Sequence, residues 1–400
     1  MKFLYIGGSD TFSRHELGFI ASLKLLGDVD VIVVGSGSKV SSGKLKIVSD
    51  NNLNEVKVLK FGINTNNIFT LMSAHGFVLS KTESLLKVLK EHLGHYDAVF
   101  ATPREPLVFS IALRRIMKLQ SPIILRLWSI RAAKLKDNLR FGAYDDVAVF
   151  LPSVVANGLY IALSNASILL DHATHSFTKL VYPLYVKKLY RIYPPYGYVH
   201  VDSLSKSDEE VISLIDSLND YVLCLTTLSK RGSYLKFEAK PHAIAAYSLA
   251  RKLRDVDVVL AGSSYEDWLR VFPGIKPPKN LNFIGRGFSD QILEKLYCKA
   301  RLVVVPVTNR SISNRLLESL FFSRPILTSE VVRFMHPELK HGKHLYISHW
   351  DNIVEEIVRV VNDDTLLSQL EEGSKDAYMR YFSTKVNALS TSKILRALKS

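Results

Sequence analysis

LNFIGRGFSDQILEKLYCKARLVVVPVTNRSISNRLLESLFFSRPILTSE, residues 281–330, alternates two kinds of hydrophobic pattern. A short apolar stretch ends at Gly285, and Ser289-Asp290 then opens a helix whose Ile292, Leu293, Leu296 and Tyr297 recur at helical spacing. Leu302 to Pro306 is an unbroken apolar run, the composition a strand needs when both of its faces are covered. The polar loop Thr308 to Ser313 leads into a second helix, Asn314 to Phe322, which Ser323-Arg324-Pro325 stops before another apolar strand. Strand, loop and helix start, in that order, make an anion site, because the first N–H groups of a helix lack internal partners and its dipole is positive there. Glu318, one turn in, is placed to accept hydrogen bonds from a vicinal diol, and Arg315 to neutralise phosphate charge. Ribose beside diphosphate describes a nucleotide.

The stretch resembles the donor site of glycosyltransferase family 4. Gly285, Leu296-Tyr297, Ala300, Pro306, Leu317-Glu318-Ser319 and Arg324-Pro325-Ile326 follow the family pattern. The resemblance implies an α/β chain of the GT-B fold, with two Rossmann-like parallel-sheet domains facing each other across a cleft. It implies that Glu318 is the ribose ligand and that Ser313 and Asn314 present N–H groups to the donor. Two departures stand out: the first Glu of the family's pair falls on Arg310, and Ser311-Ile312-Ser313 replaces the usual Gly-Phe-Gly. The resemblance thus implies that Arg310 stands where the family has its Glu beside the transferred sugar.

Four hundred residues, 47% of them hydrophobic and 22% charged, suit two or three ordinary globular domains. Both cysteines, Cys224 and Cys298, fall in apolar predicted elements, so both are expected to be buried thiols in a reducing compartment. The start MKFLYIGGSD lacks the long apolar run of a signal peptide, which points to a cytoplasmic chain. Val147 to Leu170 holds no charged residue and is long enough to span a bilayer, but its Pro, Asn, Gly and Ser content predicts a buried helix followed by a strand at Tyr160 to Leu163. The net charge is +14, and thirteen Lys or Arg against five Asp or Glu between positions 101 and 200 place an excess of eight there. Such a field suits an anionic partner, a lipid surface or lipid phosphate, unless it is only a solvated basic face.

In chain order, Met1 to Ile6 is an apolar strand ending at Gly7-Gly8-Ser9-Asp10, half of a βαβ unit without a dinucleotide fingerprint. Gly8 either lets the backbone approach a ligand, as the same loop does in the resembled family, or serves a tight turn. LGDVDVIVVGSGS near the start returns as LRDVDVVLAGSSY in the second half, which predicts two similar α/β domains. Both Asp-Val-Asp phrases precede their strands, whereas ligands of open α/β sheets bind beyond the carboxyl ends, so neither reads as a metal site. After the strand Pro122 to Leu127, where the family places a His, stand Trp128 and Ser129. Arg126 or Arg131 nearby could meet acceptor charge, or simply pair with an acid. His172 and His175 lack a third ligand and read as exposed or capping residues.

Tyr193-Pro194-Pro195-Tyr196-Gly197 can continue neither strand nor helix and marks the change of domain. The expected division is 1–195 on the acceptor side, 196–383 on the donor side, and a closing helix, 384–400, packing back on the first domain. Asp220 to Leu228 is the first strand of the second domain, and Ser229-Lys230-Arg231-Gly232 with Lys240-Pro241 gathers positive charge where a diphosphate would lie. The resemblance implies Lys240 as one diphosphate ligand. Its Arg partner falls on Thr227, which leaves Lys230 or Arg231 as substitutes. The turn Ala261-Gly262-Ser263-Ser264 could contact the base or its ribose.

These readings describe an enzyme that moves a sugar from a nucleotide-sugar to a glycan or lipid-linked acceptor. Family precedent implies retention, no cofactor and no metal. Lys240, Arg231, Arg310 and Ser129 are the expected catalytic groups, with the protein cytoplasmic or peripheral at the inner face of a membrane. The departures at Arg310 and at Trp128 or Ser129 keep open a catalytically silent GT-B protein that binds a nucleotide or a partner. No recognition module supports nucleic-acid binding.

Overall fold

The computed structural model describes residues 1–8, 12–35, 40–62, 94–127, 150–228, 239–285, 289–305 and 313–399. The chain divides into two compact units: Met1–Ala132, Leu151–Val199 and Thr384–Ser400 form the first, and His200–Ser383 makes up most of the second. Each is built on a largely or wholly parallel sheet, the α/β architecture of two Rossmann-like units that the sequence predicts.

In the first unit, β1 (Lys2–Gly7), β2 (Asp28–Gly35), β3 (Val40–Ser49), β4 (Asn52–Gly62), β5 (Ala98–Ala101), β6 (Ile123–Leu127), β7 (Ala166–Leu169), β8 (Leu189–Arg191) and β9 (Tyr198–Val199) lie in the order β8-β7-β6-β5-β1-β2-β4-β3-β9. Helices α1 (Arg14–Lys24), α2 (Glu105–Ile116), α3 (Phe150–Leu163) and α4 (His172–Val181) accompany the strands. Phe3, Leu4, Tyr5 and Ile6 are fully buried, which explains why β1 reads as continuous apolar sequence. By contrast, β3 pairs antiparallel with β4 and carries Lys44 and Lys46 among its residues, so no apolar run announces it.

Two expectations fail between 147 and 170. Tyr160 to Leu163 is the last turn of α3, and the strand comes later, at Ala166–Leu169. Ser164 and Asn165 make the corner: Ser164 Oγ donates to the Ile161 carbonyl at 3.0 Å, and Asn165 N–H donates to the Ile123 carbonyl at 2.8 Å. Nor is the helix buried all round, since Val155, Leu159 and Leu163 are exposed.

The Tyr193–Gly197 turn rests on α1 backbone to backbone. A Cβ on Gly18 would fall 2.6 Å from the carbonyl carbons of Pro195 and Tyr196, so no side chain fits there. The closing helix, Thr384–Ala397, also packs on α1. Its fully buried Asn387 accepts from Ser22 Oγ at 2.7 Å and donates to the Tyr193 carbonyl at 2.8 Å, while Thr384 N–H donates to Asp50 at 2.8 Å.

The second unit holds β10 (Tyr221–Leu225), β11 (Asp257–Ala261), β12 (Leu281–Ile284), β13 (Ala300–Val305), β14 (Ile326–Ser329) and β15 (Tyr346–Ser348), all parallel, in the order β12-β11-β10-β13-β14-β15. The helices are α5 (Lys206–Ser217), α6 (Ala239–Lys252), α7 (Tyr265–Val271), α8 (Asp290–Lys299), α9 (Asn314–Phe321), α10 (Val332–Met335), α11 (Ile353–Val361) and α12 (Asp364–Ala377), which makes the closing helix α13. Asp28-Val29-Asp30 opens β2, whereas Asp255-Val256 precede β11 and only Asp257 begins it, and each phrase is engaged structurally: Asp30 accepts from Tyr96 at 2.7 Å, and Asp257 from Asn282 at 3.0 Å. The two cysteines part company. Cys224 is buried on β10, where burial pushes its thiol up to about 12, but Cys298 is exposed. On α8 the buried stripe is Ile292, Leu296 and Tyr297, and Cys298 lies off it. Among the described residues, no helix is long and apolar enough to cross a membrane.

Candidate functional site

Strand order locates the site. The second unit starts in β10 at mid-sheet, adds β11 and β12 on one side, then returns to place β13, β14 and β15 on the other. The chain therefore reverses between β10 and β13, and ligands of open α/β sheets bind in the crevice beyond the carboxyl ends at such a reversal. Helix α6 follows β10 and helix α9 follows β13, so two helix starts serve the same crevice.

The exit of β10 is held by a side-chain clip. Ser263 Oγ donates to the Thr226 carbonyl at 2.8 Å and accepts from the Leu228 N–H at 3.0 Å. Gly262 precedes it at φ +91°, and a Cβ there would stand 2.8 Å from the Thr226 oxygen. Only glycine suits that conformation and that approach. Thr227, where the family pattern has Arg, lies beside Gly262, with its Oγ1 3.3 Å from the same point. Lys240 is the second residue of α6 and is exposed. Lys230 and Arg231 lie outside the described residues.

At the other helix start, Ser313 caps α9, its side chain accepting from the Leu316 N–H at 3.3 Å. Asn314 and Arg315 follow, partly exposed, and among the described residues the Arg315 guanidinium has no ion-pair partner. Glu318 is almost wholly buried, and its Oε2 accepts from Tyr297 Oη of α8 at 2.7 Å. The Tyr297 ring stacks on Phe322, with centroids 5.2 Å apart, which fixes its hydroxyl. Tyr297 is thus the residue the sequence reading left among core positions. Its place on the buried stripe of α8 was legible, but nothing in the spacing says that its hydroxyl meets a carboxylate 21 residues on. Arg310 lies outside the described residues.

In the first unit the chain reverses between β1 and β5. Gly8 stands there, and a Cβ on it would meet the Pro106 ring at 2.9 Å and Thr102 Oγ1 at 3.8 Å. Arg126 does not reach a surface. It is fully buried, its Nη2 donating to the His15 carbonyl at 2.7 Å and its guanidinium lying 4.7 Å over the Phe19 ring. In the fold its Nη2 holds the start of α1. Burial, and then the Arg126 charge, keep the His15 imidazole neutral, well below the usual histidine range. Tyr5 Oη donates to Glu16 at 2.9 Å in the same cluster. Trp128, Ser129 and Arg131 lie outside the described residues. Among the described residues, no three His, Cys, Asp or Glu side chains group as metal ligands.

Residues 228–363 match the family model described as glycosyl transferases group 1. No curated protein matches the chain in sequence. Among solved structures, Anabaena HepE in complex with UDP and glucose superposes with a TM-score of 0.61 at 14% identity, covering 100% of each chain. Sucrose-phosphate synthase from Thermosynechococcus elongatus gives 0.61 at 11% identity over 100% of this chain and 99% of that one. Trehalose 6-phosphate synthase from Burkholderia multivorans gives 0.61 at 11% over 99% and 98%. At such identities the likeness speaks to the fold, which is that of GT-B glycosyltransferases along the whole chain.

Proposed function

We propose that the protein is a glycosyltransferase of the family 4 type that takes its sugar from a nucleotide-sugar, with the donor on the second unit. One observation carries the reading: two helix starts, one bearing Lys240 and the other capped by Ser313, serve the reversal crevice of a wholly parallel sheet, with Glu318 a turn inside the second. In this reading the diphosphate takes Lys240 and the free N–H groups of α9, and Arg315 adds charge. Glu318 accepts from the ribose hydroxyls, oriented by Tyr297. UDP is the first nucleoside diphosphate to test, because it is bound in the HepE complexes of the same fold.

The chemical step is an electrostatic one. As the bond from the anomeric carbon to the diphosphate breaks, negative charge grows on the leaving phosphate oxygen, and preorganised cations and N–H groups stabilise it, each worth about 3 kcal/mol in the transition state. Retention of configuration, independence of metal and a glycan or lipid-linked acceptor complete the proposal. The test is transfer or hydrolysis of labelled UDP-, GDP- and ADP-sugars, followed in Glu318→Ala and Lys240→Ala. Loss of activity by tenfold or more in both variants is expected, and activity indifferent to both would remove the donor site from this crevice. Arg310, standing where the family pattern has Glu, favours a second reading, a GT-B protein that binds nucleotide without turning it over. Nucleotide binding with no transfer or hydrolysis from any of these donors would select it.

A further inference from the structure

We propose that the outward face of α3, the end of α4 and the 3-10 helix Pro183–Lys188 together form a docking surface for an anionic lipid bilayer. Val155, Leu159 and Leu163 recur along α3 at the four-residue spacing that places side chains on one side of a helix, and all three are exposed. The whole helix carries no charged residue. Leu180 and Leu184 project further still, 80% and 91% exposed, with Val186 exposed beside them. An amphipathic helix in water keeps its outer face polar, and α3 does not, so something other than water is expected to cover that face.

The apolar residues form one patch because the elements touch. Tyr182, where α4 ends and the 3-10 helix begins, donates to the Val154 carbonyl at 2.6 Å, and a Cβ on Gly158 would meet its ring at 3.0 Å. At the far end, Lys188 Nζ donates to the Ser164 carbonyl at 3.1 Å. The 3-10 helix therefore runs beside α3, and Leu184 and Val186 extend the α3 stripe.

Charge identifies the occupant. Lys179 and Lys187 are exposed within the patch, and Lys188 and Arg191 stand at its edge. Between Asp146 and Asp202 the one acidic residue is Asp171, which is fully buried as the cap of α4, accepting from Thr174 N–H at 2.7 Å. Among the described residues from Phe150 to Val199, no carboxylate faces outward to repel phosphate. Exposed leucines ringed by lysines fit the boundary between headgroups and acyl chains of an anionic membrane, where two kinds of attraction add. The proposal stands on the first unit alone and does not depend on what the second unit binds.

Co-sedimentation of the full chain with vesicles of phosphatidylcholine, alone or mixed with phosphatidylglycerol, tests it. Binding to the anionic vesicles and little to the neutral ones is expected, weakening as salt rises. Leu180→Ser combined with Leu184→Ser should lower partitioning about tenfold or more without moving the melting point, because both side chains stand in solvent. Lys179→Gln and Lys187→Gln should each lower it about fivefold at low salt. The proposal is overturned if the protein stays in the supernatant with anionic vesicles, if the leucine variant binds them as well as the parent, or if the leucines instead hold two copies of the chain together in solution.

Discussion

Glu318 shows what a single residue owes to its surroundings. A buried carboxylate needs partners, and Tyr297 Oη supplies one at 2.7 Å while Phe322 holds the ring still. A hydrogen bond to a charged group is worth about 1.5–3 kcal/mol. Tyr297→Phe should therefore raise the donor KM roughly tenfold with kcat little changed, because the carboxylate keeps its place but loses its fixed orientation. Steady-state kinetics over donor concentration measures this, and an unchanged KM would mean that Glu318 does not grip the ribose. The identity of Glu318 as the acid to watch was legible from Leu317-Glu318-Ser319, since the pattern lies within one helix. Its tyrosine lies on another helix, and no local pattern joins the two.

Among elements, the closing helix and α4 make separate predictions. Asn387 on α13 is fully buried and bonds both Ser22 of α1 and the Tyr193 carbonyl, so Asn387→Ala removes two hydrogen bonds that tie α13 to the rest of the first unit, while Ser22 Oγ keeps the Phe19 carbonyl as its acceptor. A loss of about 1–3 kcal/mol is expected in denaturant unfolding of the first unit. On α4, half-burial is the main cause that brings His175 down to about 4, with the charges of Lys179, Arg191 and His172 pushing the same way and the Leu189 backbone opposing. An unfolded histidine titrates near 6.5, so between that pH and about 4 the unfolded chain binds a proton that the native one refuses. Stability associated with His175 is thus intact above pH 6.5 and falls as the pH drops toward 4. Buried His15 acts with the same sign. Melting curves across this range should fall more steeply for the parent than for His175→Gln, and parallel curves would refute the assignment.

For the whole molecule, a nucleoside diphosphate that binds only the native second unit should raise its melting point with concentration, by about 2.7 kcal/mol of stability at a hundred times its Kd. Thermal scans with UDP, GDP and ADP should single out one base, and Glu318→Ala should abolish the shift. The sequence sufficed for much of this architecture. Unbroken apolar runs such as Leu302 to Val305, caps such as Ser313 and stops such as Pro325 act over a few residues, so strand and helix types in 281–330 could be read directly, as could the Asp-Val-Asp echo of two similar units. The same local logic failed at Tyr160 to Leu163, where an apolar stretch fits helix and strand equally and the Ser164-Asn165 corner decides. It failed again on Cys298 and on the outer face of α3, because the number of apolar residues in a helix does not say which of them find a neighbour. Strand order, and with it the reversal between β10 and β13 that brings two helix starts to one crevice, exists only in the folded chain, since pairing joins residues far apart in sequence and is settled by how whole faces pack.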